Sequence, residues 1–435
     1  MMWDFSTDPE FQAKLDWMTQ FVRDECEPLD VLFPHGGDPY DVHNVASRAI
    51  LRPLQARVKE QGLWACHLGL DLGGPGYGQL KLGLMNEIIG RSYWAPTVFG
   101  TAAPDTGNAE ILAMFGTAEQ KERYLQPLLD GEIVSCFSMT EPQAGADPKE
   151  FTCRARREGD EWVIEGEKWF SSNARYAEFL IVMAVTDPDA SPHRRMSMLI
   201  VPADADGVEI LRNVSVLGER DDLDEGIHGY IRYNRVRVPL DAMLGGPGDG
   251  FAVAQARLGG GRVHHAMRTV GLCQRALDMM AERALSRRTQ GEPLYKKQSV
   301  QQMLADSKIQ LVQLRLLVLH TAWIIDTQPN GTARSSIAMC KVQMARVMHD
   351  IVERAVHLHG SLGVTLETPL AGWWASVPQL ALADGPTEVH QGTVAKELLK
   401  AYTGTDDPFP TEHIPERLAA ARDKHSVVLA AHGLT

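Results

Sequence analysis

The apolar residues of this chain change period twice, and no single motif constrains the fold as much. From Asp8 to about Glu132 they fall at helical spacing, as at Leu15, Met18, Phe21 and Val22. Between about Val134 and Leu244 they gather into short runs: Trp162-Val163-Ile164, Phe179 to Val185, Met198 to Val201, and the aromatic, β-branched stretch Tyr230 to Val238. Runs this short, separated by Asp, Pro and Gly turns, suit strands. After the loop Gly245 to Gly250 the helical spacing returns and lasts to about Tyr402, with Val300, Met303, Leu304, Leu311, Leu314 and Val318 on one stripe. The expectation is an α+β, multidomain chain. It has an N-terminal helical domain over residues 1–133, a central β domain over 134–245, a four-helix-bundle-like domain over 246–403 and a peripheral tail over 404–435.

Local signals refine this frame. Thr117 with Gln120 three residues on predicts a capped helix start. The run Gly73-Gly74-Pro75-Gly76-Tyr77-Gly78 predicts a turn between helices rather than a phosphate loop, since no Gly-Lys-Ser/Thr follows and no strand precedes it. Met279, Met280, Met339, Met344 and Met348 read as core filling. A net charge of -13 over 435 residues argues against non-specific nucleic-acid binding, which needs clustered Lys and Arg. Six scattered cysteines, without a C-x-x-C pair, read as free thiols of a reducing compartment. The first residues, among them Trp3, Asp4, Asp8 and Glu10, carry neither a basic nor an apolar leader segment. No apolar run reaches the roughly 18 residues of a membrane span. A cytoplasmic protein without a membrane partner is expected.

Chemistry is signalled in three places. Ser135-Cys136-Phe137-Ser138-Met139-Thr140-Glu141-Pro142 is a strand-like run that breaks at Pro142 into the small residues Gln143-Ala144-Gly145-Ala146-Asp147. Lys168-Trp169-Phe170-Ser171-Ser172-Asn173 sets aromatics beside hydroxyls at the end of a second β-type segment. Together they could form a shelf for a flat ring system such as a flavin, with an aromatic on its face and polar groups at its edge. The third, Ala383-Asp384-Gly385-Pro386-Thr387-Glu388-Val389-His390, is a turn at a helix start. From residue types alone Asp384 is either a helix cap or a reactive carboxylate.

In this order and separation the stretches resemble the acyl-CoA dehydrogenase superfamily, whose flavin shelf reads Thr-Glu-Pro-x-Ala-Gly-Ser-Asp and then Lys-x-Trp-x-Thr/Ser-Asn. The Asp-Gly-Pro-x-Glu-Val-His form, with Lys168 to Ser172 and with Arg257-Leu258-Gly259-Gly260-Gly261-Arg262-Val263-His264-His265, is similar to one branch. That branch includes the domains of animal enzymes acting on longer and 4-hydroxylated acyl-CoAs, as well as bacterial stand-alone relatives. The resemblance covers nearly all of residues 50 to 400.

It implies a flavoprotein that uses FAD to dehydrogenate an acyl-CoA at its α,β bond. Asp384 would be the base that takes the α-proton, and its backbone N–H would be one donor to the thioester carbonyl. Asp replaces the usual Glu, which shortens the arm by one methylene. By the same resemblance Phe170 would pack on the flavin, Ser172 would bond near N5, and Met139 and Thr140 would meet the pyrimidine edge. Phe137, Ser138 and Ser171 would complete the cofactor shelf. Ala146 would touch both cofactor and substrate, although the family usually has Ser there. Gly385 and Pro386 would shape the base's loop, Gly261 and Arg262 would face the substrate, and Glu388 would lie at the adenosine end. Arg262 would orient the base or the thioester, or form a structural ion pair. Arg287, Gln298, His357, Gly360 and Ser361 would hold the FAD of a neighbouring subunit, so a homodimer or homotetramer is implied. Gln290 replaces the family's Phe at the adenine. His357 and His359 have no third ligand nearby, so no metal is expected. Electrons would pass to an electron-transferring flavoprotein. The alternatives are an acyl-CoA or nitroalkane oxidase of the same fold and a flavin-binding scaffold associated with DNA.

Overall fold

Asp8 opens the first helix, its Oδ1 accepting the Phe11 N–H at 2.8 Å with Pro9 in the first turn. The structure, a computed structural model, describes residues 6–219, 222, 224–329 and 331–434. Trp3 and Asp4 lie outside them. The chain divides into two units, Met1–Gln391 and Gly392–Thr435. In the first unit the main N-terminal helices are α1 (Pro9–Phe21), α2 (Val45–Glu60), α3 (Gly78–Ile89) and α4 (Asp105–Phe115). Gly73 to Gly78 is the expected turn, and it leads into α3.

Thr117 and Gln120 form the reciprocal box, Thr117 Oγ1 accepting from the Gln120 N–H and Gln120 Oε1 from the Thr117 N–H. Gln120 Nε2 also donates to the carbonyls of Asp241 and Met243, so the cap ties the helices to the strands that follow.

Eight strands make the central sheet: β1 (Ser135–Ser138), β2 (Arg154–Glu158), β3 (Glu161–Ser172), β4 (Phe179–Val185), β5 (Met196–Pro202), β6 (Val208–Val214), β7 (His228–Pro239) and β8 (Met243–Leu244). Their order is β6-β7-β3-β2-β4-β5-β8, with β1 parallel to β4. Every residue of β4 is buried because both faces are covered. Phe179, Ile181 and Met183 pack with Ile111 and Leu112, and Leu180, Val182 and Ala184 with Tyr233 and Val236. β1 ends at Ser138, before the break expected at Pro142. The backbone beyond it leaves the ladder, and its Thr140 carbonyl accepts the Trp169 N–H at 2.8 Å.

Four long helices follow: α5 (Gly250–Ser286), α6 (Gln298–Thr327), α7 (Arg334–His359) and α8 (Leu370–Leu382). Met18, Phe21, Leu51 and Met85 from the N-terminal helices share one core with Met267, Val270, Leu314, Met344 and Leu370 from these four. Helices α3 and α5 touch through glycine: a Cβ on Gly271 would overlap the Glu87 carbonyl. Of the methionines expected in the core, Met280, Met344 and Met348 are buried and Met279 packs against them. Met339 is 36% exposed, on the outer side of α7. Helix α6 is, contrary to the expectation, long and apolar enough to cross a membrane by length and composition. Its Leu311, Leu314 and Val318 lie instead in the shared core. Helix α9 (Thr387–Leu399) starts in the first unit. The second unit holds α10 (Ile414–Lys424) and α11 (Ser426–Ala431), in neither of which a residue is buried.

Candidate active site

A buried ion pair joins the two halves of the expected shelf. Lys168 Nζ donates to Glu141 Oε1 at 2.9 Å and to the Met139 carbonyl at 2.7 Å, with the two side chains 0% and 1% exposed. Glu141 also accepts from the Thr152 and Cys153 N–H groups at 2.7 and 3.0 Å. Burial alone would raise this carboxyl, but Lys168 and those N–H donors hold it below its usual range. Past Lys168 the register of β3 against β7 slips, and in that irregularity Phe170 adopts φ 55°. A left-handed aromatic is strained, and the slip turns its ring outward, 39% exposed.

Beside Phe170, Ser172 Oγ lies 2.9 Å from His228 Nδ1. Thr140, Met139 and Phe137 are half-buried and Ala146 is exposed. Ser138 and Ser171 are different: both are fully buried, their hydroxyls 2.8 Å apart, and Ser138 also accepts from Tyr233 at 2.8 Å. Their side chains brace the sheet beneath the shelf. An outward aromatic flanked by a hydroxyl suits a flat ring with a polar edge, so these residues fit a flavin.

The third stretch comes to the same region. Asp384 follows α8 at φ 57°, a strained conformation for a non-glycine residue. Its carbonyl accepts from Arg262 Nε at 2.8 Å and faces His390 Nε2 at 3.3 Å. Arg262 therefore bonds the Asp384 backbone, and among the described residues no ion pair joins it to the Asp384 carboxylate. Among the described residues no carbonyl accepts the Asp384 N–H. Gly259, Gly260 and Gly261 sit inside α5, where each costs about 1 kcal/mol relative to Ala. Two of them face carboxylates. A Cβ on Gly261 would lie 3.4 Å from Asp384 Oδ2, and one on Gly260 would lie 3.1 Å from Glu110 Oε2.

The surroundings of Asp384 are polar and partly buried. His265 Nε2 is 3.6 Å from Asp384 Oδ2, and burial, with Arg268 beside it, pushes that imidazole down to about 4. At neutral pH it faces the carboxylate uncharged. Burial pushes Lys341 down to about 8; its ammonium donates to the Leu380 carbonyl at 2.6 Å, four residues before Asp384. Arg257 lies over the Phe137 ring at 4.0 Å and donates to Asn108 Oδ1 at 2.9 Å. Asn108 in turn donates to Ser135, whose hydroxyl donates to Asp105. Burial raises Glu110 to about 7 and Asp105 to about 6, with Arg257 opposing both shifts. Arg257, His265, His228 and Glu110 were missed as site residues. The Arg-Leu-Gly and His-His motif held two of them in plain view, but one strand, two helices and the Asp384 loop must meet before they matter.

The residues expected at a second cofactor lie elsewhere. Arg287 and Gln298 flank the hairpin Arg288–Thr289 with Glu292–Pro293, and both are exposed. His357, Gly360 and Ser361 are exposed at the end of α7, where His357 meets Glu353 at 3.1 Å. His359 points inward to the Ala355 carbonyl. Glu388 is exposed in the first turn of α9, after Gly385 (φ 103°) and Pro386. Among the described residues, no hydrogen bond or ion pair joins these outer side chains to the shelf or to Asp384.

Family models for the acyl-CoA dehydrogenase N-terminal, middle and C-terminal domains match residues 9–132, 136–233 and 248–399. FadE2 of Mycobacterium tuberculosis, an acyl-CoA dehydrogenase by description, is 40% identical over 408 residues, covering 92% of this chain and 94% of that protein. Mouse acyl-CoA dehydrogenase family member 10 is 37% identical over 408 residues, and the chain spans 38% of that longer protein. A solved Mycobacterium abscessus structure assigned to the acyl-CoA dehydrogenases superimposes with a TM-score of 0.82 at 36% identity, covering 92% of this chain and all of that one.

Proposed function

The chain belongs to the acyl-CoA dehydrogenase family, and from that premise we propose that it converts an acyl-CoA thioester to the trans-2-enoyl-CoA with Asp384 as base. One observation carries the reading: a carboxylate on a strained backbone whose own carbonyl is pinned and whose N–H, among the described residues, meets no carbonyl, set against a glycine face. A thioester α-proton is too weakly acidic for a carboxylate in water. The substrate carbonyl must first be polarised by a donor aimed at its oxygen. The Asp384 N–H supplies that donor from the same residue that takes the proton, so base and donor hold a fixed spacing. Arg262 and His390 lock the Asp384 carbonyl, which sets the tilt of the peptide and so the aim of the carboxylate. Gly261 leaves room for the acyl Cα beside Oδ2, and the uncharged His265 adds no counter-charge that would weaken the base.

FAD, when bound, supplies the acceptor for the β-hydrogen and its electron pair. Phe170 would lie against its ring, Ser172 would bond near N5, and Thr140 with Met139 would meet its edge. The exposed Arg287, Gln298, His357, Gly360 and Ser361 support a role toward the cofactor of a second subunit, hence a homo-oligomer, and the exposed Glu388 would lie at an adenosine end. An electron-transferring flavoprotein is the electron acceptor proposed here. The six cysteines are all free and buried, which supports a cytoplasmic enzyme.

Anaerobic titration of the FAD-loaded protein with a panel of acyl-CoAs tests the reading. Bleaching of the flavin by one chain class, lost in Asp384→Asn, is the expected result. A loaded protein that no thioester bleaches would overturn it.

A further inference from the structure

On the reading that Ser172 faces a flavin, we propose that His228 is a positioning residue that sets which way the Ser172 hydroxyl bonds and thereby tunes the flavin's reduction potential. His228 opens β7 directly opposite Ser172 in the β3 register, and it is 6% exposed. Its Nδ1 is 2.9 Å from Ser172 Oγ, and its ring lies 5.1 Å from Phe170 at 31°. One imidazole thus touches two of the shelf residues assigned to the flavin. Its other nitrogen, Nε2, faces two groups: Glu219 Oε1 at 3.6 Å and the Gln379 amide nitrogen at 3.5 Å. Gln379 is on α8, the helix that leads to Asp384.

The two neighbours ask for opposite tautomers. A carboxylate only accepts, so Glu219 favours a proton on Nε2. Glu219 is held for this task, its second oxygen accepting the Val216 N–H at 3.1 Å. With the proton on Nε2, bare Nδ1 accepts the Ser172 O–H, and the serine oxygen presents lone pairs to the ligand. The Gln379 amide, donating to Nε2, favours a proton on Nδ1, and the serine hydroxyl then turns outward as a donor. The negative charge of the carboxylate, 3.6 Å from Nε2, draws a proton there more strongly than the neutral amide at 3.5 Å opposes it. Ser172 is therefore an acceptor, and an acceptor beside N5 favours the reduced ring, which carries hydrogen there.

The test uses full-length, FAD-loaded protein, with the midpoint potential of the bound flavin as readout and FAD content and melting temperature as controls. Glu219→Gln and His228→Gln should each lower the reduced-to-oxidised ratio at a fixed poise by roughly two- to tenfold, the range of one net hydrogen bond. Ser172→Ala should move it too, and adding His228→Gln to Ser172→Ala should change nothing more, because the effect passes through the hydroxyl. If Ser172→Ala shifts the potential while Glu219→Gln and His228→Gln do not, or if the double variant shows the sum of both shifts, the positioning role is overturned. If Ser172→Ala leaves the potential unchanged at full FAD content, the placement of the flavin on this shelf fails, and the role of His228 falls with it. Should His228→Gln not fold, Glu219→Gln carries the test alone, since it alters the tautomer without emptying the ring's place.

Discussion

Replacing Lys168 by Met should destabilise the protein by about 3 kcal/mol at pH 7, at the lower end of the roughly 3–5 kcal/mol that follows when one partner of a buried ion pair is removed. The side chains of Lys168 and Glu141 are 0% and 1% exposed, so water cannot replace the lost ammonium. The estimate is at the lower end because Glu141 keeps the N–H donors of Thr152 and Cys153 and the amide of Gln143. The sign of the pH dependence follows from the same contacts. In the parent the Glu141 carboxyl is held below its usual range, so its contribution is complete above the unfolded pKa and is lost as the pH falls through the folded one. Without Lys168, burial raises the carboxyl instead, and the variant gains stability on acidification as Glu141 becomes neutral. The difference between parent and variant should therefore be largest near pH 7 and shrink toward pH 4.5. Urea unfolding at the two pH values measures it. A loss below about 1 kcal/mol, or an equal loss at both pH values, would refute the reasoning. FAD retention should fall in parallel, since Lys168 also holds the Met139 carbonyl of the shelf.

Asp384→Asn should leave FAD content and melting temperature near parent while the rate of flavin bleaching by substrate drops about 10²- to 10⁴-fold, the usual worth of a general base; stopped-flow absorbance reads it. Gly261→Ala should act with opposite signs on stability and activity. A helical Gly-to-Ala change stabilises by about 0.5–1 kcal/mol, while the new methyl, 3.4 Å from Asp384 Oδ2, narrows the substrate's place and lowers kcat/KM. Glu110 is raised to about 7 by burial, so its contribution is complete below its unfolded pKa and is lost as the pH rises through 7. Glu110→Gln should flatten the decline in stability between about pH 4.5 and 7, checked by melting temperature against pH. Phe170→Ala removes the exposed ring of the shelf and should weaken FAD binding, measured by the flavin left after gel filtration.

Much of this protein was legible in its sequence because the relevant signals are local. The change of apolar period at residues 134 and 245 reports which faces a segment must bury, and that demand does not depend on where the segment goes. The Thr117–Gln120 box is complete within four residues and appeared as read. The two shelf stretches and Asp384 carried a resemblance specific enough to name a family. What stayed hidden was contact between segments far apart along the chain. Lys168 reaches Glu141 across 27 residues, Arg262 reaches the Asp384 carbonyl across 122, and Glu219 and Gln379 converge on His228 from a loop and a helix. Ser138 and Ser171 looked like ligands to a cofactor because a hydroxyl has the same letter whether it faces a cleft or a sheet interior. Only the register of β3 on β7 put one serine of the pair Ser171-Ser172 beneath the shelf and the other at its rim. Residue chemistry was set by the sequence itself. Which groups lose water, and which partner each then meets, was decided by the packing of strands on helices, because desolvation and charge pairing depend on neighbours that the local sequence does not contain.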